Sequence, residues 1–383
     1  MRLLALSILL SLPALAAPPA VTARRAPDGG IQPRIALDSA GAVHLIYFKG
    51  DPKAGDVFYA RSPDGGTSFS PPVRVNSQPG SAIAIGTVRG PQLAAGRNGR
   101  AYVIWMGSDS ALPRGPSLNN RTTPLLYARL DDAGEAFEPQ RNLITSHPGL
   151  DGGLSVAADA DGNVYAVWHA PERGTQGEDN RKVWVSRSAD DGRSFSPETA
   201  ANPHPTGACG CCGMRAFCDR DGNLFIAYRS AAEIVHRDMY LLTSRDHAAT
   251  FTAAKLDPMN IAKCVMSTTT LAPAAGGGLL AAWETDDRIF FSPVDPASPL
   301  RRIAAPVQSR PAKHPVIAAN AAGQILLAWT EGTGWQKGGT LAWQIFDAQA
   351  RPIANASGRA ADLPAWSLPA AFAKPDGSFE ILY

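Results

Sequence analysis

The chain has 383 residues, of which 45% are hydrophobic and 18% are charged. This composition provides enough apolar residues for a large core and excludes a wholly disordered chain. The formal net charge of +2 gives no electrostatic reason to expect a nucleic-acid partner. The 36 glycines and 32 prolines lie scattered between apolar runs, which is typical of many short strands joined by turns.

The first 16 residues have the pattern of a secretory signal peptide. Arg2 provides a positive charge, Leu3–Leu12 form an apolar run too short to span a bilayer, and residues 14–16 (Ala-Leu-Ala) form a small-residue cleavage motif. We therefore expect cleavage near Ala16 and a mature domain over residues 17–383. Export to a periplasm or beyond would place this domain in an oxidising compartment, where disulfides can form.

A hairpin pattern recurs along the rest of the chain. Each copy has an apolar strand, a turn that ends in glycine, and a second apolar strand that ends in Trp or Tyr, as in "SVAADADGNVYAVW". The turn glycines are Gly41, Gly99, Gly162, Gly222, Gly277, Gly323 and Gly377. Repeats of this length indicate a solenoid, a propeller or an array, and four antiparallel strands in roughly 50–60 residues describe a propeller blade.

The repeat predicts an all-β fold, a single β-propeller of four-stranded blades. Seven hairpins favour seven blades, but the last hairpin ends at the chain terminus, Tyr383, so the last blade is expected to be incomplete. The segment around residues 20–25 is the candidate for its missing strand. A propeller of six blades is the alternative.

A second motif lies between the hairpins. "SPDGGTSF" and "SADDGRSF" share the pattern Ser-x-Asp-x-Gly-x-Ser-Phe, and "SRDHAATF" and "LDDAGEAF" keep parts of it. The aspartate carboxylate can accept backbone N–H bonds in a tight turn, so we assign a structural role to these aspartates. They are Asp64, Asp132, Asp190 and Asp246. The motif resembles the Asp-box, or BNR repeat, of the sialidase superfamily, and this resemblance implies a propeller that recognises or hydrolyses glycans.

The repeat also predicts which residues meet on the loop-rich face of the propeller. Cys209 and Cys264 each lie 13 residues before a turn glycine, Gly222 and Gly277, and so occupy equivalent positions in adjacent blades. We therefore expect Cys209, Cys211, Cys212 and Cys264 to gather at the mouth of the central channel. Cys218 lies near the opposite end of its strand and is expected to be a separate, buried structural thiol.

The resemblance to sialidases implies a cluster of arginines that holds a substrate carboxylate, together with catalytic carboxylates. In the first blade the family has Arg-Ile-Pro, whereas this chain has Pro33 before Arg34, and no Tyr is convincingly placed as the nucleophile. The closest match to the family's arginine is Arg89, one blade later. The candidate pocket residues are Arg89, Arg215, Arg229, Glu233, Asp238 and Glu284, with His169 expected at the same opening.

The cysteines leave two interpretations open. In an oxidising compartment they form disulfides, with Cys209–Cys264 expected first. Alternatively, Cys209, Cys211, Cys212 and Cys264 bind a soft metal, copper or zinc, with His204, Met214 and Met266 as additional ligands. Nothing in the sequence requires a cofactor. A third class of function is a scaffold whose loop-rich face binds a protein partner rather than a glycan or another small ligand.

Overall fold

The computed structural model describes residues 18–117, 123–294, 300–306 and 310–383, so the predicted signal peptide lies outside the described residues. It contains seven β-sheets, and the inner strand of each sheet packs against those of its two neighbours in a closed ring. The prediction of a seven-bladed β-propeller is confirmed, and the six-bladed alternative is wrong. No helix among the described residues is long and apolar enough to cross a membrane.

The strands follow the chain blade by blade. The N-terminal strand is β1 (Val21–Arg24). Blade 1 contains β2 (Ile31–Leu37), β3 (Val43–Asp51), β4 (Ala54–Ser62) and β5 (Val73–Arg74). Blade 2 contains β6 (Gln92–Ala95), β7 (Ala101–Met106), β8 (Leu125–Arg129) and β9 (Arg141–Asn142). Blade 3 contains β10 (Leu154–Ala158), β11 (Val164–Pro171), β12 (Arg181–Ser188) and β13 (Thr199–Ala200).

The remaining blades have the same order. Blade 4 contains β14 (Arg215–Cys218), β15 (Leu224–Arg229), β16 (Met239–Ser244) and β17 (Thr252–Asp257). Blade 5 contains β18 (Thr270–Pro273), β19 (Leu279–Thr285), β20 (Arg288–Val294) and β21 (Ile303–Ala304). Blade 6 contains β22 (Ala312–Ala319), β23 (Ile325–Glu331), β24 (Gly339–Phe346) and β25 (Pro352–Leu363), and blade 7 contains β26 (Ala370–Ala373) and β27 (Phe379–Leu382). Two short 3-10 helices, Pro27–Gly29 and Arg97–Gly99, lie in turns.

The N-terminal strand completes the last blade. Strand β1 pairs in parallel with β27, so blade 7 has three strands, two from the C-terminus and one from the N-terminus. The pairing continues beyond the strands, because the Phe379 N–H donates to the Ala20 carbonyl at 2.9 Å and the Tyr383 N–H donates to the Arg24 carbonyl at 3.1 Å. The ring is therefore closed by hydrogen bonds between the N-terminal strand β1 and the last strand, β27.

Aspartates stabilise the turns of the predicted Asp-box motifs. Asp190 accepts hydrogen bonds from the Ser188 hydroxyl at 2.7 Å and from the Ser194 N–H at 2.8 Å. Asp64 and Asp246 make the corresponding bonds in their own turns. The turn in blade 2 differs, because Leu130 stands where the other motifs have serine. There Asp131 accepts the turn N–H, and Asp132 instead pairs with arginines, so Asp132 does not have the role that the sequence pattern assigns to it.

Candidate functional site

The inner strands of all seven blades line a channel along the propeller axis. It contains a cavity of about 270 Å³, close to the lower end of ligand-pocket volumes at about 300 Å³. Most of its wall is apolar, because small side chains recur along the inner strands, for example Ala94, Ala157 and Ala318. The polar side chains in this wall are correspondingly few, and they are the residues with which a ligand could form directional contacts.

Two arginines project into this channel from nearly opposite blades. Arg34 lies on β2 of blade 1 and Arg215 begins β14 of blade 4. Neither forms a salt bridge within the described residues, and the buried Nε of each has no hydrogen-bond partner there. Burial and the charge of Arg215 lower the pKa of Arg34 to about 9, and burial lowers the pKa of Arg215 to about 10. Both therefore remain cationic at neutral pH, and the part of the chain that the structure describes provides no compensating anion for either.

The register of the repeat explains why these two arginines line the same part of the channel. Arg34 precedes Gly41, and Arg215 precedes Gly222, by the same seven residues, so both occupy one level of the channel. Gln92 has this position in blade 2, and its Oε1 lies 3.5 Å from Nη1 of Arg215. Arg34 was not among the predicted site residues because Pro33 precedes it, although it has the same offset from its turn glycine as Arg215.

The other predicted arginines are paired with carboxylates. Arg89 contacts Asp151, with Nη2 2.5 Å from Oδ1. Arg229 and Glu284 form an ion pair of 3.2 Å between blades 4 and 5, and the two side chains are 3% and 1% exposed. Of the three predicted arginines, Arg215 alone lines the channel and has no carboxylate partner among the described residues. The structure therefore replaces the expected cluster of Arg89, Arg215 and Arg229 with a pair formed by Arg215 and Arg34.

The three carboxylates predicted for the pocket are instead paired with basic side chains away from the channel wall. Glu233 is exposed and lies 3.5 Å from His236, and Asp238 is paired with Lys255 at 2.6 Å. Burial raises the pKa of Glu284 to about 7, although the charge of Arg229 opposes the shift. None of the three carboxylates is among the channel-lining residues.

His169 lies in the interior of blade 3. Its Nδ1 accepts a hydrogen bond from Nε of Arg181 at 2.8 Å. Burial, together with the charge of Arg181, lowers the pKa of His169 well below its usual value. The imidazole is therefore neutral and is held in place by blade 3 instead of being presented at the opening.

An exposed tryptophan lies beside the channel mouth. Trp335 belongs to the loop between β23 and β24, is 50% exposed, and packs closely on Gly86 of a neighbouring loop. A small pocket beside it is lined by His314 and Met266 as well as Gly86. Burial lowers the pKa of His314 to about 3, so this side chain is neutral. Trp335 was not predicted as a site residue, since nothing in the sequence of its loop indicates that it is exposed.

The cysteines meet where two interblade loops approach each other. The Sγ atoms of Cys209, Cys211 and Cys212, which we call the thiol cluster, all lie within 4.8 Å of one another. Cys211 is joined to Cys264 by a disulfide with a Cα–Cα distance of 6.4 Å. Cys212 is followed directly by Gly213, which lines the channel. The cluster thus lies beside the channel wall, in the loop that leads into the first strand of blade 4.

The disulfide is not the one that was expected, because Cys211, not Cys209, is the partner of Cys264. The Cys209 N–H donates to the Arg229 carbonyl at 2.9 Å, which holds Cys209 in the buried part of the loop. The Cys212 N–H donates to the Cys209 carbonyl at 3.3 Å, and this turn leaves Cys211 on the outer side, towards Cys264. Equivalent positions in the repeat placed the loops correctly but did not determine which side chain faces the partner.

The two free thiols of the cluster form a hydrogen-bonded pair. The Cys209 thiol donates to Sγ of Cys212 at 3.3 Å. This bond lowers the pKa of Cys212, with further help from the charges of Arg229 and Arg237, and it raises the pKa of Cys209. Cys212 is therefore the more acidic of the two thiols.

The other proposed sulfur and nitrogen ligands are not brought to the cluster. His204 is exposed, Met214 packs in the hydrophobic core between blades 3 and 4, and Met266 lines the pocket beside Trp335. The methionine that packs against Cys209 and Cys212 is Met259, which the sequence analysis did not select. Cys218 belongs to a different hydrophobic cluster and is half-buried rather than buried.

Comparison with known proteins shows a likeness of fold. No protein-family model matches the chain, and no curated protein matches it in sequence. The chain is similar to Trypanosoma rangeli sialidase, with a TM-score of 0.55 and 12% identity over 80% of this chain, and spans about half (53%) of that protein. It is also similar to Penicillium chrysogenum alpha-L-arabinanase, with a TM-score of 0.51 and 14% identity over 84% of this chain and 94% of that one. The chain therefore has a sialidase-like β-propeller fold.

Proposed function

We propose that this protein is an exported propeller that recognises a glycan bearing a carboxylate, at the mouth of its central channel. The observation that carries the proposal is the pair of channel arginines, Arg34 and Arg215, which have no carboxylate partner among the described residues. A buried cation without a counter-ion is unfavourable, and an incoming carboxylate removes this penalty while accepting charge-assisted hydrogen bonds. The pair is therefore best explained as a preformed anion site.

The surroundings of the pair fit a sugar acid. Gln92 provides an amide next to Arg215, and the wall below is apolar, which matches a ligand with one charged group on a partly apolar ring. Trp335 presents an amphipathic ring beside the opening, where a second sugar unit can pack. The sialidase and arabinanase folds named above support a glycan as ligand at the level of fold alone.

The proposed activity is binding of a glycan, not its cleavage. Guanidinium and amide groups bind and orient an anion, but they provide neither the nucleophile nor the acid that glycoside cleavage requires. Export rests on the signal-peptide pattern of residues 1–16, with cleavage near Ala16 and a mature domain over residues 17–383. N-terminal sequencing of the protein recovered from a bacterial periplasm tests that part independently.

Calorimetric titration tests the binding proposal directly. We expect N-acetylneuraminic acid or glucuronic acid to bind, and glucose, which lacks the carboxylate, to bind at least about tenfold more weakly. Arg34→Gln and Arg215→Gln should each weaken acid binding by about 10- to 100-fold, because each removes a charge-assisted contact. Arg245→Gln removes one exposed charge at an Asp-box turn and should leave binding unchanged. Equal affinity for acid and neutral sugars would refute the proposal.

A further inference from the structure

The thiol cluster has the composition and spacing of a site for a soft metal ion. Sγ of Cys209 lies 3.4 Å from that of Cys211 and 3.3 Å from that of Cys212. Metal–thiolate bonds of about 2.3 Å place the sulfurs of a three-coordinate centre about 4.0 Å apart. An increase of about 0.6 to 0.7 Å in these two sulfur–sulfur distances would thus make room for the ion.

The disulfide controls how many of these sulfurs are available. With the Cys211–Cys264 bridge intact, the cluster offers two free thiols, Cys209 and Cys212. A dithiol reductant breaks the S–S bond by donating two electrons and two protons, and is itself oxidised to a disulfide. Cys211 then becomes the third free thiol of the cluster, and Cys264 provides a fourth free thiol at the exposed edge.

The charges around the cluster favour an anionic metal–thiolate centre. Arg237 has a side chain that is 5% exposed and forms one ion pair, with Glu178 at 2.7 Å. Its buried Nε and Nη1 have no hydrogen-bond partner among the described residues, and its charge acts on both Cys209 and Cys212. Three thiolates around a monovalent ion carry a net charge of about −2, so the Arg237 guanidinium, which has two unpaired nitrogens here, is stabilising.

A thioether completes the soft environment. Met259 is 3% exposed and packs in one apolar cluster with Cys209, Cys212 and Val265. Its Sδ lies 3.0 Å from Nη1 of the buried Arg229, so the methionine is held at the site. Thiolate donors in such an apolar, sulfur-rich setting select Cu(I) over harder ions.

We propose that the thiol cluster binds one Cu(I) ion once the Cys211–Cys264 bridge is reduced, so that the disulfide gates the metal site. The ligands are the three sulfurs of the cluster, and each thiol loses its proton when it binds the metal. Cys264 supplies the gate rather than a ligand. This site is separate from the channel arginines, and its test does not depend on glycan binding.

Competition for Cu(I) against the chelator bicinchoninate tests the proposal on the full chain. One sample is reduced with excess dithiol, which is then removed without oxygen, and a second sample is left oxidised. We expect the reduced protein to withdraw one equivalent of Cu(I) from the chelator and the oxidised protein to bind at least about tenfold more weakly. Failure of the reduced protein to compete for Cu(I) would overturn the proposal.

Variants separate the gate from the ligands. Cys211→Ser should abolish tight binding in both samples, whereas Cys264→Ser should bind Cu(I) without prior reduction. Cys218→Ser is the matched control, because this thiol lies in another part of the fold, and it should behave like the wild type. Near-ultraviolet circular dichroism checks that each variant is folded, and if Cys264→Ser is not, the comparison of reduced and oxidised wild type decides.

A second arm distinguishes copper from zinc. Zn(II) prefers four tetrahedral ligands, which here would require Cys264 as well as the thiol cluster. We expect reduced protein to prefer Cu(I) and Cys264→Ser to retain Cu(I) binding. Tight Zn(II) binding that is lost in Cys264→Ser, without comparable Cu(I) binding, would contradict the three-sulfur Cu(I) assignment.

Discussion

Arg34 and Arg215 both line the central channel, and burial together with the positive charge of Arg215 lowers the pKa of Arg34. Two buried like charges in one channel destabilise the protein when no ligand is bound. Such a loss of stability is characteristic of binding sites, where function requires an arrangement that is unfavourable for folding. The pair therefore predicts opposite effects of one substitution on stability and on binding.

Arg34→Gln should be at least as stable as the wild type when no ligand is present. The substitution removes one of two like charges that are buried in a low-dielectric channel. With a sugar acid at a concentration 100 times its Kd, the wild type should gain about 2.7 kcal/mol of stability, and the variant should gain much less at the same concentration. Thermal unfolding with and without ligand measures both effects. A variant that is less stable and still responds fully to the ligand would contradict the anion site.

Trp335→Ala should weaken binding of an extended acidic glycan more than binding of the monosaccharide. The ring is exposed beside the mouth, so it can contact a second sugar unit but not the group held by the arginines. Loss of such an apolar contact costs about 1–2 kcal/mol, or about 5- to 30-fold in affinity. Titration of both ligands gives the comparison. Ile234→Ala, at another exposed apolar side chain, is the control and should change neither affinity.

The repeat made the fold predictable, because a turn glycine marks each blade. Each inner strand begins at a similar distance in sequence, within a few residues, before its turn glycine. Gly41, for example, has φ of +80° in its turn, a conformation that favours glycine. Arg34 was also within reach of the sequence, because it shares its offset with Arg215. The burial of Arg229 could not be predicted from the sequence, because its partner Glu284 comes from the next blade and the pairing depends on how two blades pack.

The choice of disulfide partner was beyond the sequence for a similar reason. Cys209 and Cys211 are two residues apart in one loop, and either could have faced Cys264. A single backbone hydrogen bond, from the Cys209 N–H to the Arg229 carbonyl, fixes the buried side of that loop. Such bonds depend on the tertiary arrangement of two segments, so no local sequence pattern predicts them.

Asp190→Ala should lower the thermal stability without changing ligand affinity. The carboxylate accepts hydrogen bonds from Ser188 and Ser194, and the pKa of Asp190 is lowered to about 2 because these bonds outweigh its burial. A lowered pKa means that the stabilisation is present above the ordinary value near 3.8 and is lost as the pH falls towards 2. The difference in melting temperature between wild type and variant should therefore shrink in acid.

The control for this prediction is Asp221→Ala, at an exposed aspartate in the hairpin turn of blade 4. Melting temperatures at pH 7 and pH 3 should be close to those of the wild type for this variant. If Asp190→Ala melted like the wild type at both pH values, the structural role of the turn aspartates would be wrong. If it lost ligand binding while remaining fully stable, the Asp-box face would have a function that the fold does not explain.

Glu284→Gln should remove part of the pH dependence of folding stability. Burial raises the pKa of Glu284 from its usual 4.5 to about 7, against the opposing charges of Arg229 and Lys313 and with a further increase from Cys212. The folded state therefore keeps a proton that the unfolded chain releases above pH 4.5. The stabilisation that this proton gives is complete below pH 4.5 and is lost as the pH rises through about 7.

The stability of Glu284→Gln relative to the wild type should thus increase between pH 4.5 and pH 8, by at most about 3 kcal/mol. Urea unfolding at several pH values across this window measures the difference. Glutamine keeps an oxygen that can accept the Asp287 N–H bond now made by Glu284 at 2.7 Å, so the local backbone should be preserved. Glu135→Gln, at an exposed turn position, provides a matched loss of charge and should give a curve parallel to the wild type. If the stability curve of Glu284→Gln also ran parallel to that of the wild type, the pKa of Glu284 in the folded protein would be ordinary. The charge of Arg229 would then offset the effect of burial completely.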